Sequence, residues 1–180
     1  MRKARPDPKG MIMLAAFSSQ ARQAQALVVV LCLAGASAAS AQNSSDLLNL
    51  SDTGEDNELY IVQSPASVPG DPASANRLEV SLAGDRNGGA TGFWQGDLLQ
   101  ESGLRPGQLV QSGFGNMLAL AVAGDDNRFA MSQLGDGNMV SGRISGQANQ
   151  AIVTQMGNNN TAVFSQTGNG NAIVVSQGSR

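Results

Sequence analysis

The chain has no histidine, one cysteine and few aromatic residues, 4% of 180 positions. Each shortage excludes something. Without imidazole, the commonest general base and metal ligand is gone. The cysteine, Cys32, sits in an apolar run from Ala26 to Ala34. A basic start precedes that run: Arg2, Lys3, Arg5, Lys9 and Arg22. Small residues follow it from Gly35 to Ala41. The run is too short to span a bilayer. Ala39-Ser40-Ala41 fits a signal cleavage site, with Ala36-Ser37-Ala38 as a second option. Residues 1–41 are therefore expected to be a signal peptide, read from Met1, Met11 or Met13. Leu31 stands before Cys32 where a lipid-attachment site needs a small residue.

Processing would leave a chain starting at Gln42. It would hold no cysteine and no lysine, because Lys3 and Lys9 leave with the signal. Thiolate and amine nucleophiles, imidazole bases and zinc motifs are then all missing. No carboxylate pair has a supporting base. The expectation is no enzyme, no cofactor and no metal site. An exported protein without disulfides needs another source of stability.

Charge is unevenly spread. Residues 42–180 keep six arginines and thirteen acids, a net of −7. Residues 42–101 carry −8 of that and residues 102–180 carry +1. The acidic front lacks the basic footprint that nucleic acid needs. The near-neutral back permits close stacking of similar segments.

What is present is a repeat. Asn116, Asn127, Asn138, Asn149, Asn160 and Asn171 recur every eleven residues. Three positions before each stands a glycine: Gly113, Gly124, Gly135, Gly146, Gly157 and Gly168. Six positions after successive anchors come Val122, Gln133, Ile144, Gln155, Gln166 and Gln177, with Gln111 in the same place of the arm starting at Arg105. Second and fourth positions are apolar (Leu118/Leu120, Phe129/Met131, Ala162/Phe164, Ile173/Val175), apart from Gly142. Odd positions are mostly polar. That alternation predicts half-buried strands, with Gly and Asn turning the chain.

Parity places the Asn and Gln anchors on the inner face, where amides are costly unless paired. A coil of two arms resolves this, because residue i then lies under residue i+22, one strand spacing away. Gln111, Gln133, Gln155 and Gln177 form one column. Asn116/Asn138/Asn160 and Asn127/Asn149/Asn171 form two more. Each amide can donate to one neighbour and accept from the other. The predicted fold is an all-β solenoid of about five two-strand coils.

The front half, 57–104, is degenerate. Asn57 to Gln63 and Asn76 to Leu82 fit as arms, separated by a long loop from Ser64 to Ala75. Register slips across Gly88 to Trp94, where Trp94 is expected to plug the core. Leu98-Leu99-Gln100 reads as an arm. Residues 42–56 read as an acidic flexible leader.

The spacing Gln-x4-Asn-x5-Gln, with Gly two after the first Gln, resembles the curlin repeat. It stands as Gln155-Met-Gly157-Asn-Asn-Asn160 to Gln166 and as Gln166-Thr-Gly168-Asn-Gly-Asn171 to Gln177. The resemblance is specific over 105–177 and weaker over 57–104. It implies a bacterial curli amyloid subunit, exported through an outer-membrane pore with accessory factors. It also implies assembly at the cell surface with itself or a partner curlin subunit, in a fibre serving adhesion and biofilm. Val122, Ile144 and Arg105 depart from the pattern and lean toward the minor, nucleating subunit, with the major one left open. A closed, monomeric secreted solenoid is the alternative. Its ends should be capped, whereas the arm Asn171 to Gln177 is regular and uncharged. Asp85, Asp125, Asp126 and Asp136 suit turn solubility better than calcium, since calcium-binding β-rolls repeat every nine residues.

Overall fold

The computed structural model describes residues 28–33, 47–65, 75–89, 94, 96 and 102–178. Among them are eleven strands and no helix. In chain order these are β1 Val28–Leu33, β2 Leu47–Asp52, β3 Glu58–Pro65, β4 Arg77–Ala83, β5 Gln108–Gly113, β6 Met117–Ala123, β7 Arg128–Leu134, β8 Met139–Ser145, β9 Gln150–Met156, β10 Thr161–Thr167 and β11 Ala172–Gly178.

Alternation of side chains decides which face each strand buries. In β4, β8 and β10, every second residue is buried. A strand with one apolar face must bury it against another layer. Here successive arms fold onto opposite walls of one narrow core. Odd-numbered strands make a sheet in the order β1-β3-β5-β7-β9-β11, and even-numbered strands make β10-β8-β6-β4-β2. All the pairings are parallel. Strands β2 to β11 therefore form five coils of two strands, a β-solenoid.

The core is a continuous apolar stack with Leu59, Ile61, Leu78, Leu109, Leu118, Phe129, Met131 and Ile144 among its members. Each such side chain, fully buried, contributes roughly 1.5–3 kcal/mol. Gly142, the exception in the apolar pattern, has a packing reason. A Cβ there would run into the ring of Phe164, its partner in the next coil.

Register sets coil size. In the back half, paired residues are 22 apart, as for Gln133 and Gln155. In the front half they are 40 apart for Asn76 and Asn116 and 48 apart for Gln63 and Gln111. The extra residues are excursions that leave the pairing intact.

Three expectations need correction. Residues 42–56 were expected to be flexible, but β2 lies within them and pairs with β4. Leu50 is buried and Leu48 packs against the core. The acidic composition hid a short arm whose inner positions are still apolar. Second, Arg105 does not serve as an anchor. Asn87 fills that place: its carbonyl accepts from Glu58 N (2.9 Å), and Gly88 N donates to Asn127 O (2.8 Å). The strand resumes at Gly107, whose N–H donates to Phe129 O (2.7 Å). One arm is thus split, its anchor before an excursion and its strand after it. Third, Trp94 does not plug the core. It packs on the outer face of the odd-strand sheet against Ala130 and Ile152, with Leu104 beside it. Its indole N–H donates to Leu104 O at 2.7 Å. Ala130 and Ile152 face outward by parity, so the excursion covers apolar surface that water would otherwise meet. The expected arm at Leu98-Leu99-Gln100 lies outside the described residues. So does the expected signal, apart from β1, whose backbone pairs with β3.

Eight of the turns place a left-handed residue just before the anchor, three of them glycines: Gly115, Gly137 and Gly170. Asp56, Arg86, Asp126, Ala148 and Asn159 hold it with φ between 55° and 59°. An alanine there costs about 1 kcal/mol relative to glycine. Ala148→Gly is therefore expected to stabilise the solenoid by about that amount, raising its urea midpoint with unchanged slope. Trp94 is the one tryptophan, so its fluorescence reports the excursion alone. Ile152→Asp should red-shift the emission while the far-ultraviolet β signal persists.

Candidate functional site

The candidate site is the set of buried carboxamides that runs the length of the coils. Inner parity and the sixth arm position bring Gln63, Gln111, Gln133, Gln155 and Gln177 into one column. Each Nε2 donates to the Oε1 of the next: Gln63 to Gln111 at 2.9 Å, Gln111 to Gln133 at 2.9 Å, Gln133 to Gln155 at 3.1 Å and Gln155 to Gln177 at 2.8 Å. The second N–H turns across the coil to a backbone carbonyl. Gln111 donates to Arg77 O, Gln133 to Met117 O, Gln155 to Met139 O and Gln177 to Thr161 O. Gln63, Gln111, Gln133 and Gln155 have no solvent exposure. At such depth an unpaired amide costs about 1–3 kcal/mol per group.

The asparagines do different work. Asn138 N and Nδ2 both donate to Asn116 Oδ1, at 3.0 and 3.1 Å. Its Nδ2 also donates to Gly157 O in the following coil, at 2.8 Å. Asn160 continues this column from Asn138, and Asn76 precedes Asn116. The other column is Asn57, Asn87, Asn127, Asn149 and Asn171. An anchor thus ties its own turn to the coil before and the coil after. The turn glycines receive those bonds. The carbonyls of Gly113, Gly124, Gly135, Gly146, Gly157 and Gly168 accept from Asn76, Asn87, Asn116, Asn127, Asn138 and Asn149. A Cβ on Gly135 would meet the Gly157 carbonyl, so the turns approach too closely for any side chain.

Gln166 stands apart from the glutamine column. It pairs with Ile144, which has no amide. Its Nε2 donates to Gln150 O at 3.0 Å, and its Oε1 is buried without a partner.

Sequence reading missed a third set of bonds, two positions before the anchors Asn87, Asn127, Asn138, Asn160 and Asn171. Asp85, Asp125, Asp136, Asn158 and Asn169 accept the backbone N–H of the preceding turn, from Glu55, Asp85, Phe114, Asp136 and Gln147, each at 2.9 Å. These aspartates therefore bond the turns together as well as solvating them. The signal available was the recurrence of Asp or Asn at that offset. One position later, Arg86 grips Asp126 with two bonds, at 2.8 and 2.9 Å. Hydrogen bonding to the guanidinium holds the Asp126 carboxyl below the usual carboxylate range, and raises Arg86 in turn. A lowered carboxyl stabilises the fold above the ordinary Asp pKa, and that contribution fades as pH falls through the lowered value. Both side chains are about half exposed, so solvent screens the pair and its contribution is small.

Neutral amides, left-handed turns and parallel ladders repeat a pattern of donors and acceptors along one axis. A parallel solenoid with aligned inner carboxamides belongs to the class of stacked-repeat solenoid proteins. The family model of the curlin associated repeat matches residues 146–178, from the turn before β9 to the end of β11. That stretch of the chain carries the curlin associated repeat. No curated protein and no solved structure matches the chain.

Gln133→Leu tests the column. It leaves a donor on Gln111 and an acceptor on Gln155 unpaired. The expected loss is about 3 kcal/mol in urea unfolding. Ser141→Ala, on the outer face of β8, should change stability by less than about 0.5 kcal/mol.

Proposed function

We propose that this chain is an exported subunit of an extracellular curli-type amyloid fibre, assembling by templated, in-register stacking of coils. One observation carries the reading. The bond pattern repeats from coil to coil, and among the described residues nothing closes it at β10 and β11. Gln177 sits at the last position of its column with one N–H on Thr161 O. Asn171 is exposed where its column predecessors are buried. An edge of unpaired backbone groups, backed by apolar residues, invites addition of another strand. Curlin repeats over 146–178 support the same reading.

Export follows in this proposal from the signal peptide, with cleavage after Ala41, passage through the outer-membrane secretion pore, and fibre growth at the cell surface in adhesion and biofilm. The partner is another copy or a second curlin subunit. Three of the five inner sixth positions in the even-strand sheet are apolar, namely Leu82, Val122 and Ile144. That dilution of the ladder supports the minor, nucleating role over the major one.

Thioflavin T fluorescence and electron microscopy of the exported protein at micromolar concentration test the proposal. Fibres with a lag phase removed by preformed seed are expected. A nucleator should also abolish the lag of a major curlin subunit at a low molar ratio. A monomer that persists without dye signal or seeding would leave the closed secreted solenoid as the answer.

A further inference from the structure

The inner sixth position of the even-strand sheet reads Asp52, Leu82, Val122, Ile144, Gln166 from β2 to β10. Its middle is apolar and its two ends are polar. Those ends lie on the two edge strands of the sheet.

Within one molecule, Gln166 is a liability. It stands over Ile144, and its Oε1 is buried without a partner. A leucine would avoid that cost. Its amide is nonetheless oriented as in the true ladder. Gln133 and Gln155 each donate one N–H to a backbone carbonyl sixteen residues back and the other to the next glutamine along the axis. Gln166 makes the first of these bonds, to Gln150 O. The shared geometry directs its second N–H beyond β10, off the edge of the sheet.

At the other edge, Asp52 offers the complement. It accepts Gly54 N at 3.1 Å and Asn57 Nδ2 at 2.7 Å, both through Oδ1. Oδ2 carries neither bond. One edge thus presents a directed donor and the other a pre-positioned acceptor at the same place in the arm. Inside one chain the two are separated by the whole width of a five-stranded sheet.

We propose that a second copy of this chain docks its β2 against β10 of the first in parallel register. Gln166 Nε2 then donates to Asp52 of the second copy, a charge-assisted bond at the seam. This rests on the self-assembly reading above and gives it a direction. The same register sets Ala162 against Leu48 and Phe164 against Leu50, extending both apolar columns. Like edges reject one another. Two β2 edges would bring carboxylates together, and two β10 edges would oppose donors to donors. Growth is therefore head-to-tail. The other sheet joins alongside once the signal segment, which holds β1 against β3, has been removed.

Cysteine pairs test the seam. Asn49 and Val163 occupy one outward-facing row of the even-strand sheet, on its opposite edges, and both are exposed. Parallel neighbours lie about 4.8 Å apart, within disulfide reach. Exported protein carrying Asn49→Cys is mixed with protein carrying Val163→Cys, assembled and oxidised. A disulfide-linked dimer is expected from the mixture and not from either variant alone. Fibres that form without the mixed cross-link, or that cross-link within one variant, overturn the seam while leaving the fibre reading intact. Failure of unmodified protein to assemble overturns both.

Asp52→Asn separates chemistry from folding. The amide keeps Oδ1 for Gly54 and Asn57 and turns an N–H toward the incoming donor. The critical concentration for assembly is expected to rise about tenfold or more, with the urea midpoint of the monomer little changed. An unchanged critical concentration would remove Asp52 from the seam.

Discussion

Buried carboxamides in this core need partners, and parallel in-register stacking supplies them along the columns, leaving only Gln63 Oε1 and Gln166 Oε1 unpaired among the described buried side chains. That constraint organises everything else. It fixes the register, because a slip by one residue would turn the column amides and the inner apolar side chains outward together. It fixes the turns, because Asn Nδ2 must reach a glycine carbonyl in the adjacent coil. It also makes the fold extensible. A globular core is finished when its apolar surface is covered, whereas a ladder of donors and acceptors is unfinished at each end.

The front coils show which departures the ladder tolerates. Insertions enter between an anchor and its strand, or in the loop before an anchor, and the columns pass through undisturbed. Asn87 bonds Asn127 across a separation of 40 residues as Asn127 bonds Asn149 across 22. Loop closure grows only slowly with length, so extra residues at such a point cost little. The excursion that returns at Gly107 also covers outward-facing Ala130 and Ile152 with Trp94. The odd-strand sheet therefore has a small second core outside the main one, and its outer face is not uniform along the axis.

The sequence showed the solenoid clearly in its back half, because alternation, turn glycines and an eleven-residue period all agree there. Leu59, Ile61 and Gln63 were legible in the front half for the same reason. The strand Leu47–Asp52 was not. Its acidic neighbours resemble a disordered tail, and its sixth position holds Asp52 in place of an amide. Arg105 was mistaken for an anchor because counting back from Gln111 lands on it. Only the three-dimensional path shows that Asn87, eighteen residues earlier, fills the place. Trp94 reads as a core plug because it stands where the register slips, whereas the parity of Ala130 and Ile152 creates an apolar surface outside. The turn acceptors Asp85, Asp125 and Asp136 had been read for their charge. Their position, two before Asn87, Asn127 and Asn138, carried the structural meaning.

Everything rests on side-chain amides one coil apart sharing hydrogen bonds. Solid-state NMR of protein labelled at glutamine Nε2 and Cδ, diluted in unlabelled chain, measures this directly. Gln111, Gln133, Gln155 and Gln177 should each show a contact from an amide nitrogen to the carboxamide carbon of its column neighbour, at about one strand spacing. Side-chain nitrogens with no such contacts, exchanging freely with water, would contradict the aligned ladder and the fold built on it.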